Sequence, residues 1–147
     1  MNRDIQKRYF VEAMAKHLPP SAAHLQLLDI NGQAGEILSQ RRKDIDIQLV
    51  ESDSVDQWGL DDDSIDAVVA YNIRLETALL NRILQVMRAG GRFTAVFSSE
   101  HVSEHYVKLL ENHGYVRILV EPAVDDLGVL IRGEKAHTTD NTIDRIQ

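Results

Sequence analysis

Residues 27–35 read LLDINGQAG, a short apolar run that ends in an acid and opens into a loop with two glycines. Residues 36–42 follow with a helical pattern. A strand, a glycine-containing loop and a helix in this order place backbone N–H groups at a helix N-terminus, where an anion or the edge of a nucleotide can bind. The segment therefore predicts an α/β fold with a ligand site at the carboxyl end of its first strand.

The composition is that of an ordinary globular domain. A chain of 147 residues, 44% apolar and 27% charged, fits one domain with one hydrophobic core. The net charge of −7 argues against nucleic acid and anionic membranes as partners. Because there is no cysteine, thiolate zinc sites and cysteine nucleophiles are excluded. No apolar run is long enough to span a bilayer and the first residues lack a signal-peptide core, so we expect a cytoplasmic protein.

Apolar spacing along the chain predicts alternating helices and strands. The predicted strands are 24–30, 45–50, 64–72, 92–97, 116–120 and 129–131, and the predicted helices are 4–18, 36–42, 75–88 and 103–113. The alternation favours a mostly parallel sheet with helices on both faces, and the short last connection favours an antiparallel C-terminal hairpin. We expect a domain over residues 1–135, whose N-terminal 20 residues supply a covering helix, and a disordered tail over 136–147.

Four segments, in this order, resemble the class I S-adenosylmethionine-dependent methyltransferases. They are LLDINGQAG (27–35), DDDSIDAVVAYN (61–72), RILQVMRAGGRFTAVF (82–97) and LLENHGYVRILVEPAVDDLGVLIRG (109–133). The resemblance implies a Rossmann-like methyltransferase fold. It also implies that the sheet is shortened between the family's first and fourth strands, because residues 36–63 hold one helix and one clear strand where the family has two such units.

The resemblance implies S-adenosylmethionine as the cofactor, held in part by the glycine loop. The loop residues that match are Asp29, Asn31, Gly32 and Gly35. The family's loop usually reads Gly-x-Gly-x-Gly, whereas here Asn31 and Gln33 stand where the first two glycines would be. Glycines in such a loop let the backbone approach the cofactor without a Cβ in the way.

The second half of the implied cofactor site is an acid after the second predicted strand. Residues 47–54 can match the end of the family's second strand, in which case Glu51 holds the ribose hydroxyls. They can equally match the third strand, in which case Asp53 touches the adenine amino group. Tyr71 and Asn72 end the next strand and are candidates for the substrate side. No residue is assigned as a catalytic base.

Two functions follow from this sequence. The first is transfer of a methyl group to a small molecule or a protein acceptor. The second is a degenerate, non-catalytic methyltransferase-like module that acts through protein–protein contacts, as a homodimer for example. The intact Asp29 and Gly35 favour the first, and Gln33 and the missing strand–helix unit favour the second.

Two further features have competing interpretations. Trp58, the only tryptophan, can stack on an adenine or lie in the core, and the burial habits of large aromatics favour the core. His101, Glu104 and His105 spell H-x-x-E-H, a zinc signature of metallopeptidases. Such short motifs match by chance, and exposed histidines are the simpler interpretation, so we predict no metal site.

Overall fold

The computed structural model describes residues 3–20, 23–98, 103–124 and 127–137. Its strands are β1 (Leu25–Ile30), β2 (Ile45–Val50), β3 (Ile65–Tyr71), β4 (Met87–Phe97), β5 (Tyr115–Pro122) and β6 (Val129–Lys135). Its α-helices are α1 (Arg3–Glu12), α2 (Gly35–Arg41), α3 (Thr77–Val86) and α4 (Ser103–Asn112). Short 3₁₀ turns lie at Ala15–His17 and Val55–Gln57.

The strands form one six-stranded sheet in the order β2-β1-β3-β4-β6-β5. β2, β1, β3 and β4 are parallel to one another, whereas β6 is antiparallel to both β4 and β5. The mostly parallel sheet and the antiparallel C-terminal hairpin are therefore confirmed. β1 lies between β2 and β3, so the chain leaves β1 in one direction and later returns to its other side. This reversal of strand order is a topological switch point, where open α/β sheets bind ligands.

Helices cover both faces of the sheet, as predicted. On one face, Leu80 and Ile83 of α3 and Leu110 of α4 belong to a buried apolar cluster with the sheet. On the other, Phe10 of α1 and Leu38 of α2 pack against a second cluster. The apolar content of β1 follows from this arrangement, because a central strand buries side chains on both faces.

The observed boundaries differ most from the predicted ones at two helices and at β6, which extends to Lys135 instead of ending at residue 131. α1 ends at Glu12, and residues 15–17 form a 3₁₀ turn, so the predicted helix 4–18 is too long. α3 ends at Val86 and β4 begins at Met87, five residues before the predicted strand. Residues 87–91 pair with β3 in an irregular register, and Gly90 there has a φ of +80°.

Of the predicted tail, residues 138–147 lie outside the described residues. None of the helices in the described ranges is long and apolar enough to cross a membrane.

Candidate functional site: a cleft at the strand ends

The loop after β1 is held by the carboxylate of Asp29, which is 1% exposed. The Gly35 N–H donates to its Oδ2 at 2.7 Å, and the Ala34 N–H lies 3.3 Å from both oxygens. Burial raises the pKa of Asp29, and the backbone N–H groups of the loop act in the opposite direction. The Asp29 carboxylate therefore holds the loop and the start of α2 in place through hydrogen bonds from the backbone N–H groups of Ala34 and Gly35.

Asn31 bridges the loop after β1 to the loop after β2. Its backbone N–H donates to the carbonyl of Val50 at 2.7 Å, which continues the parallel ladder. Its side-chain Oδ1 accepts the Ser52 N–H at 2.8 Å, and its Nδ2 donates to Ser52 Oγ at 3.2 Å. Asn31 has a φ of +64°, a conformation that asparagine tolerates better than most residues. We call this pair of side-chain contacts the Asn31–Ser52 bridge.

The same arrangement recurs one strand pair along the sheet. The Asn72 N–H, just after β3, donates to the carbonyl of Val96 in β4 at 2.8 Å. The Asn72 side chain accepts the Ser98 N–H at 2.8 Å and donates to Ser98 Oγ at 3.1 Å, and its φ is +53°. Each asparagine therefore joins the carboxyl ends of two neighbouring parallel strands. The repetition indicates that Asn31 stands in the loop for a structural reason.

Gln33 covers the outer side of the loop. Its Nε2 donates to the Asn31 carbonyl at 3.2 Å, and its Oε1 accepts from Lys7 Nζ of α1 at 2.6 Å. The glutamine thus lies between the loop and the N-terminal helix. The loop is therefore bonded to the Asp29 carboxylate through its backbone N–H groups and to the Gln33 side chain through the Asn31 carbonyl.

Gly35 is required by packing inside the protein. A Cβ at this position would lie 2.9 Å from Asp29 Oδ2 and 3.0 Å from Ile47 Cγ2 of β2. Gly32, in contrast, has a φ of +67° and space for a Cβ, whose nearest neighbour would be Leu49 at 3.8 Å. The glycine that matches the family's pattern is therefore explained by Asp29 and Ile47. A Gly35→Val substitution would disturb the loop whether or not a ligand binds there.

A cleft of about 290 Å³ opens at the carboxyl ends of β1, β2 and β3. It lies at the switch point of the sheet, and its volume is at the lower end for ligand pockets. Its lining residues are Asn31, Ser52, Asp53, Asn72, Ile73, Arg74, Glu76 and Leu79. Ile73 and Leu79 are buried, so the cleft combines an apolar floor with charged groups of both signs.

The two candidate acids after β2 lie in different places. Asp53 lines the cleft, whereas Glu51 is an exposed residue at the end of β2 and is not among the lining residues. β2 pairs directly with β1, so Glu51 directly follows the strand beside the glycine loop, where nucleotide-binding sheets place the acid for the ribose. The backbone carbonyl of Glu51 accepts the indole N–H of Trp58 at 2.9 Å. Trp58 is 8% exposed and belongs to the core, as predicted.

Tyr71 and Asn72 are adjacent in the chain, but their side chains lie in different places. Asn72 lines the cleft, but the Tyr71 ring stacks on Phe10 of α1 with centroids 6.3 Å apart. Burial raises the pKa of Tyr71 above its usual value. Only Asn72 of the two substrate-side candidates therefore lies at the cleft.

The sequence reasoning missed Arg74 and Glu76, which line the cleft from the segment between β3 and α3. Their Nε and Oε1 atoms are 3.5 Å apart, and both side chains are mostly exposed. Their position three and five residues after β3 was the available signal, because ligands in such sheets contact the segments that follow the strands.

The zinc interpretation gains no support. His101 lies outside the described residues, and Glu104 and His105 are exposed at the start of α4, where Glu104 pairs with Lys108 at 3.6 Å. Across the part of the chain that the structure describes, no group of three or more His, Asp or Glu side chains is arranged to hold a metal ion.

The fold and the cleft together define an open, doubly covered α/β protein with a ligand-sized site at its switch point. Sequence comparison finds no matching family model and no matching curated protein. Structural comparison, however, finds clear neighbours. Geranyl diphosphate C-methyltransferase from Streptomyces coelicolor, solved with Mg²⁺, geranyl diphosphate and S-adenosylhomocysteine, matches with a TM-score of 0.65 and 11% identity. That match covers 86% of this chain and 79% of the enzyme.

Two more neighbours have the same fold. Haemonchus contortus phosphoethanolamine N-methyltransferase 2, solved with phosphomonomethylethanolamine and S-adenosylhomocysteine, gives a TM-score of 0.64 at 12% identity over 86% of this chain. The present chain spans 52% of that enzyme. A chain of the complex between a methyltransferase activator and a methyltransferase from Haloferax volcanii gives 0.61 at 12% identity, covering 90% of this chain and 92% of that one. The protein thus has the fold of the class I S-adenosylmethionine-dependent methyltransferases.

Proposed function

We propose that the chain binds S-adenosylmethionine in the cleft at the ends of β1, β2 and β3 and acts as a methyltransferase on a small molecule or a protein group. The observation that carries the proposal is the position of the cleft at the switch point of the sheet. Its neighbours in fold include methyltransferases solved with S-adenosylhomocysteine. The acidic net charge of −7 disfavours nucleic acid as the acceptor.

The residues of the cleft fit the chemistry of this cofactor, which carries a carboxylate, an ammonium, a sulfonium and a ribose with two hydroxyls. The Arg74 guanidinium can pair with a carboxylate in a bidentate manner. Asp53 and Glu76 are acceptors for an ammonium or for ribose hydroxyls. Ile73 and Leu79 supply the apolar floor on which an uncharged part of the ligand can lie.

When bound, the cofactor would supply an electrophilic methyl group for an in-line displacement. The chain's own residues would then provide alignment, which is the main demand of such a reaction. Asp29 would keep the loop in one conformation, and Asn31 and Asn72 would keep the ends of four parallel strands at fixed separation. Glu51 and Gly32 are not among the lining residues and stay predicted cofactor contacts from the loops after β2 and β1.

Calorimetric titration of the full chain with S-adenosylmethionine and S-adenosylhomocysteine tests the proposal. We expect saturable binding, and we expect Asp53→Ala to weaken it about tenfold or more, because a hydrogen bond to a charged group contributes about 1.5–3 kcal/mol. Asp56→Ala is the matched control, since Asp56 is a nearby exposed acid of the 3₁₀ turn 55–57 that does not line the cleft. Equal weakening by both variants, or by neither, would show that the site is misplaced.

The second candidate is a non-catalytic module that acts through protein contacts. The observation in its favour is that Gln33, Lys7 and Ser52 occupy the polar groups of the loop that a ligand would use. Asn31→Gly separates the two candidates, because it removes the Asn31–Ser52 bridge and restores a glycine at the first position of the family's loop. Tighter binding by this variant would mean that the bridge competes with the ligand. No heat from either protein at millimolar ligand would favour the module.

A further inference from the structure

β2 forms one edge of the six-stranded sheet. In the described ranges no strand pairs with its outer side, and its register with β1 runs through six consecutive residue pairs without a bulge. Its sequence, IDIQLV, contains no proline and no lysine, and its single charge is Asp46. Edge strands usually carry prolines, lysines or bulges, because these features prevent the unpaired backbone groups from pairing with another chain.

The hydrogen bonds to β1 show which residues of β2 offer their backbone outward. The carbonyls of Asp44 and Val50 accept the N–H groups of Leu25 and Asn31, at 2.6 and 2.7 Å. Backbone groups alternate in direction along a strand, so the even-numbered residues bond to β1. The N–H and C=O groups of Ile45, Ile47 and Leu49 are therefore directed to the free side.

The same three residues place apolar side chains on one face of the edge. Leu49 is 68% exposed and Ile47 is 36% exposed. On the opposite face, the Asp46 carboxylate accepts a hydrogen bond from Gln26 of β1 at 2.9 Å. Ile45, Ile47 and Leu49 therefore form an apolar row, and their backbone groups face away from β1.

We propose that this edge pairs with β2 of a second copy of the chain, antiparallel and centred on Ile47, to join the two sheets into one. In that register Ile47 opposes Ile47 and Ile45 opposes Leu49. These are the outward residues, so each opposed pair can exchange both N–H···O bonds. On the other face Asp46 opposes Gln48, an acceptor against a donor. A two-fold axis makes such an interface isologous and closed.

The charges that flank β2 select this register. Lys43, in the turn before β2, and Glu51, directly after β2, are both exposed, and in this register they would oppose each other across the two-fold axis and could form two equivalent ion pairs. A pairing centred on Asp46 would oppose two carboxylates, which is destabilising. A pairing centred on Gln48 would oppose Glu51 to Ile45, which places a carboxylate against the apolar row. Of these three registers, the one centred on Ile47 opposes the apolar residues of the outward row to one another and Lys43 to Glu51.

Sedimentation of the full chain over a wide concentration range tests the pairing. We expect the mass to rise with concentration from 16.6 kDa to twice that value. Leu49→Lys should hold the chain at the monomer mass, because it places a charge in the apolar row. Leu127→Lys is the matched control, since Leu127 is 52% exposed near the β5–β6 hairpin, away from β2, and its variant should still dimerise.

Charge reversal tests the register independently of any ligand. Lys43→Glu and Glu51→Lys should each weaken dimerisation, and the double variant should restore it. Circular dichroism establishes that each variant is folded. A chain that stays at 16.6 kDa at every concentration overturns the proposal. So does a dimer that Leu49→Lys leaves intact, and a double reversal without recovery overturns the register. All masses are measured without ligand, so these outcomes do not depend on whether the cleft binds a cofactor.

Discussion

Replacement of Asn31 tests the physical account of the loop after β1. Alanine at this position removes two side-chain hydrogen bonds to Ser52, of 2.8 and 3.2 Å. At about 1 kcal/mol each, their loss costs about 2 kcal/mol. Alanine must also adopt a φ of +64°, a region that costs most residues with a Cβ about 1–2 kcal/mol and that asparagine enters more readily than alanine. We therefore expect Asn31→Ala to lower the free energy of unfolding by about 3 kcal/mol.

Glycine at the same position separates the two contributions. Asn31→Gly also loses both hydrogen bonds, but glycine adopts a positive φ without a steric cost. Its greater freedom in the unfolded chain removes part of that advantage. We therefore expect a loss of about 2 kcal/mol, roughly 1 kcal/mol less than alanine. Asn72 forms the equivalent contacts with Ser98 at a φ of +53°, so alanine and glycine there should rank in the same order.

Urea unfolding followed by fluorescence measures these differences directly. Trp58 is the only tryptophan, and its indole N–H donates to the carbonyl that directly precedes Ser52 in the chain. It therefore reports on the loop after β2 as well as on the core. A loss below about 0.5 kcal/mol for Asn31→Ala, the range of neutral surface substitutions, would refute the role of the bridge. Alanine and glycine variants of equal stability would refute the argument from backbone conformation.

Three other predictions follow from local contacts. Gly35→Ala should destabilise the fold by about 1–3 kcal/mol in urea, because its Cβ would overlap the Asp29 carboxylate. Tyr115→Phe should cost about 1 kcal/mol in thermal unfolding, since it removes the buried hydrogen bond from the phenol to the Leu80 carbonyl at 2.8 Å. Hydrogen bonds from Arg41 and then from Arg8 lower the pKa of Glu12 below its usual 4.5. The Glu12 carboxylate therefore stabilises the fold above that pH and loses its contribution as the pH falls further, so Glu12→Gln should flatten this acid limb of a stability–pH profile.

The sheet could be predicted from the sequence because the apolar residues of its central strands indicate directly that these strands are buried. β1 and β3 are apolar in most of their residues, as expected for a strand covered on both faces, and both were located to within one residue at each end. β4 was less visible, because residues 87–91 contain the charged Arg88 and two adjacent glycines, a composition that resembles a turn. Their pairing depends on the irregular register with β3, which is a tertiary contact that no local pattern encodes.

The candidate site was less accessible to sequence reasoning, because a loop motif does not say what its residues contact. Gly35 fits the family's pattern, yet its lack of a Cβ is required by Asp29 and Ile47. Asn31 breaks the pattern, yet it makes the same contacts as Asn72, which stands at a strand end with no glycine motif. Asn31 thus departs from the glycine motif because it joins the ends of β1 and β2 through its side chain, as Asn72 joins the ends of β3 and β4. Whether the Asn31–Ser52 bridge admits or excludes an adenosyl ligand is a matter of competing hydrogen bonds, and the affinity of the Asn31→Gly variant measures that competition.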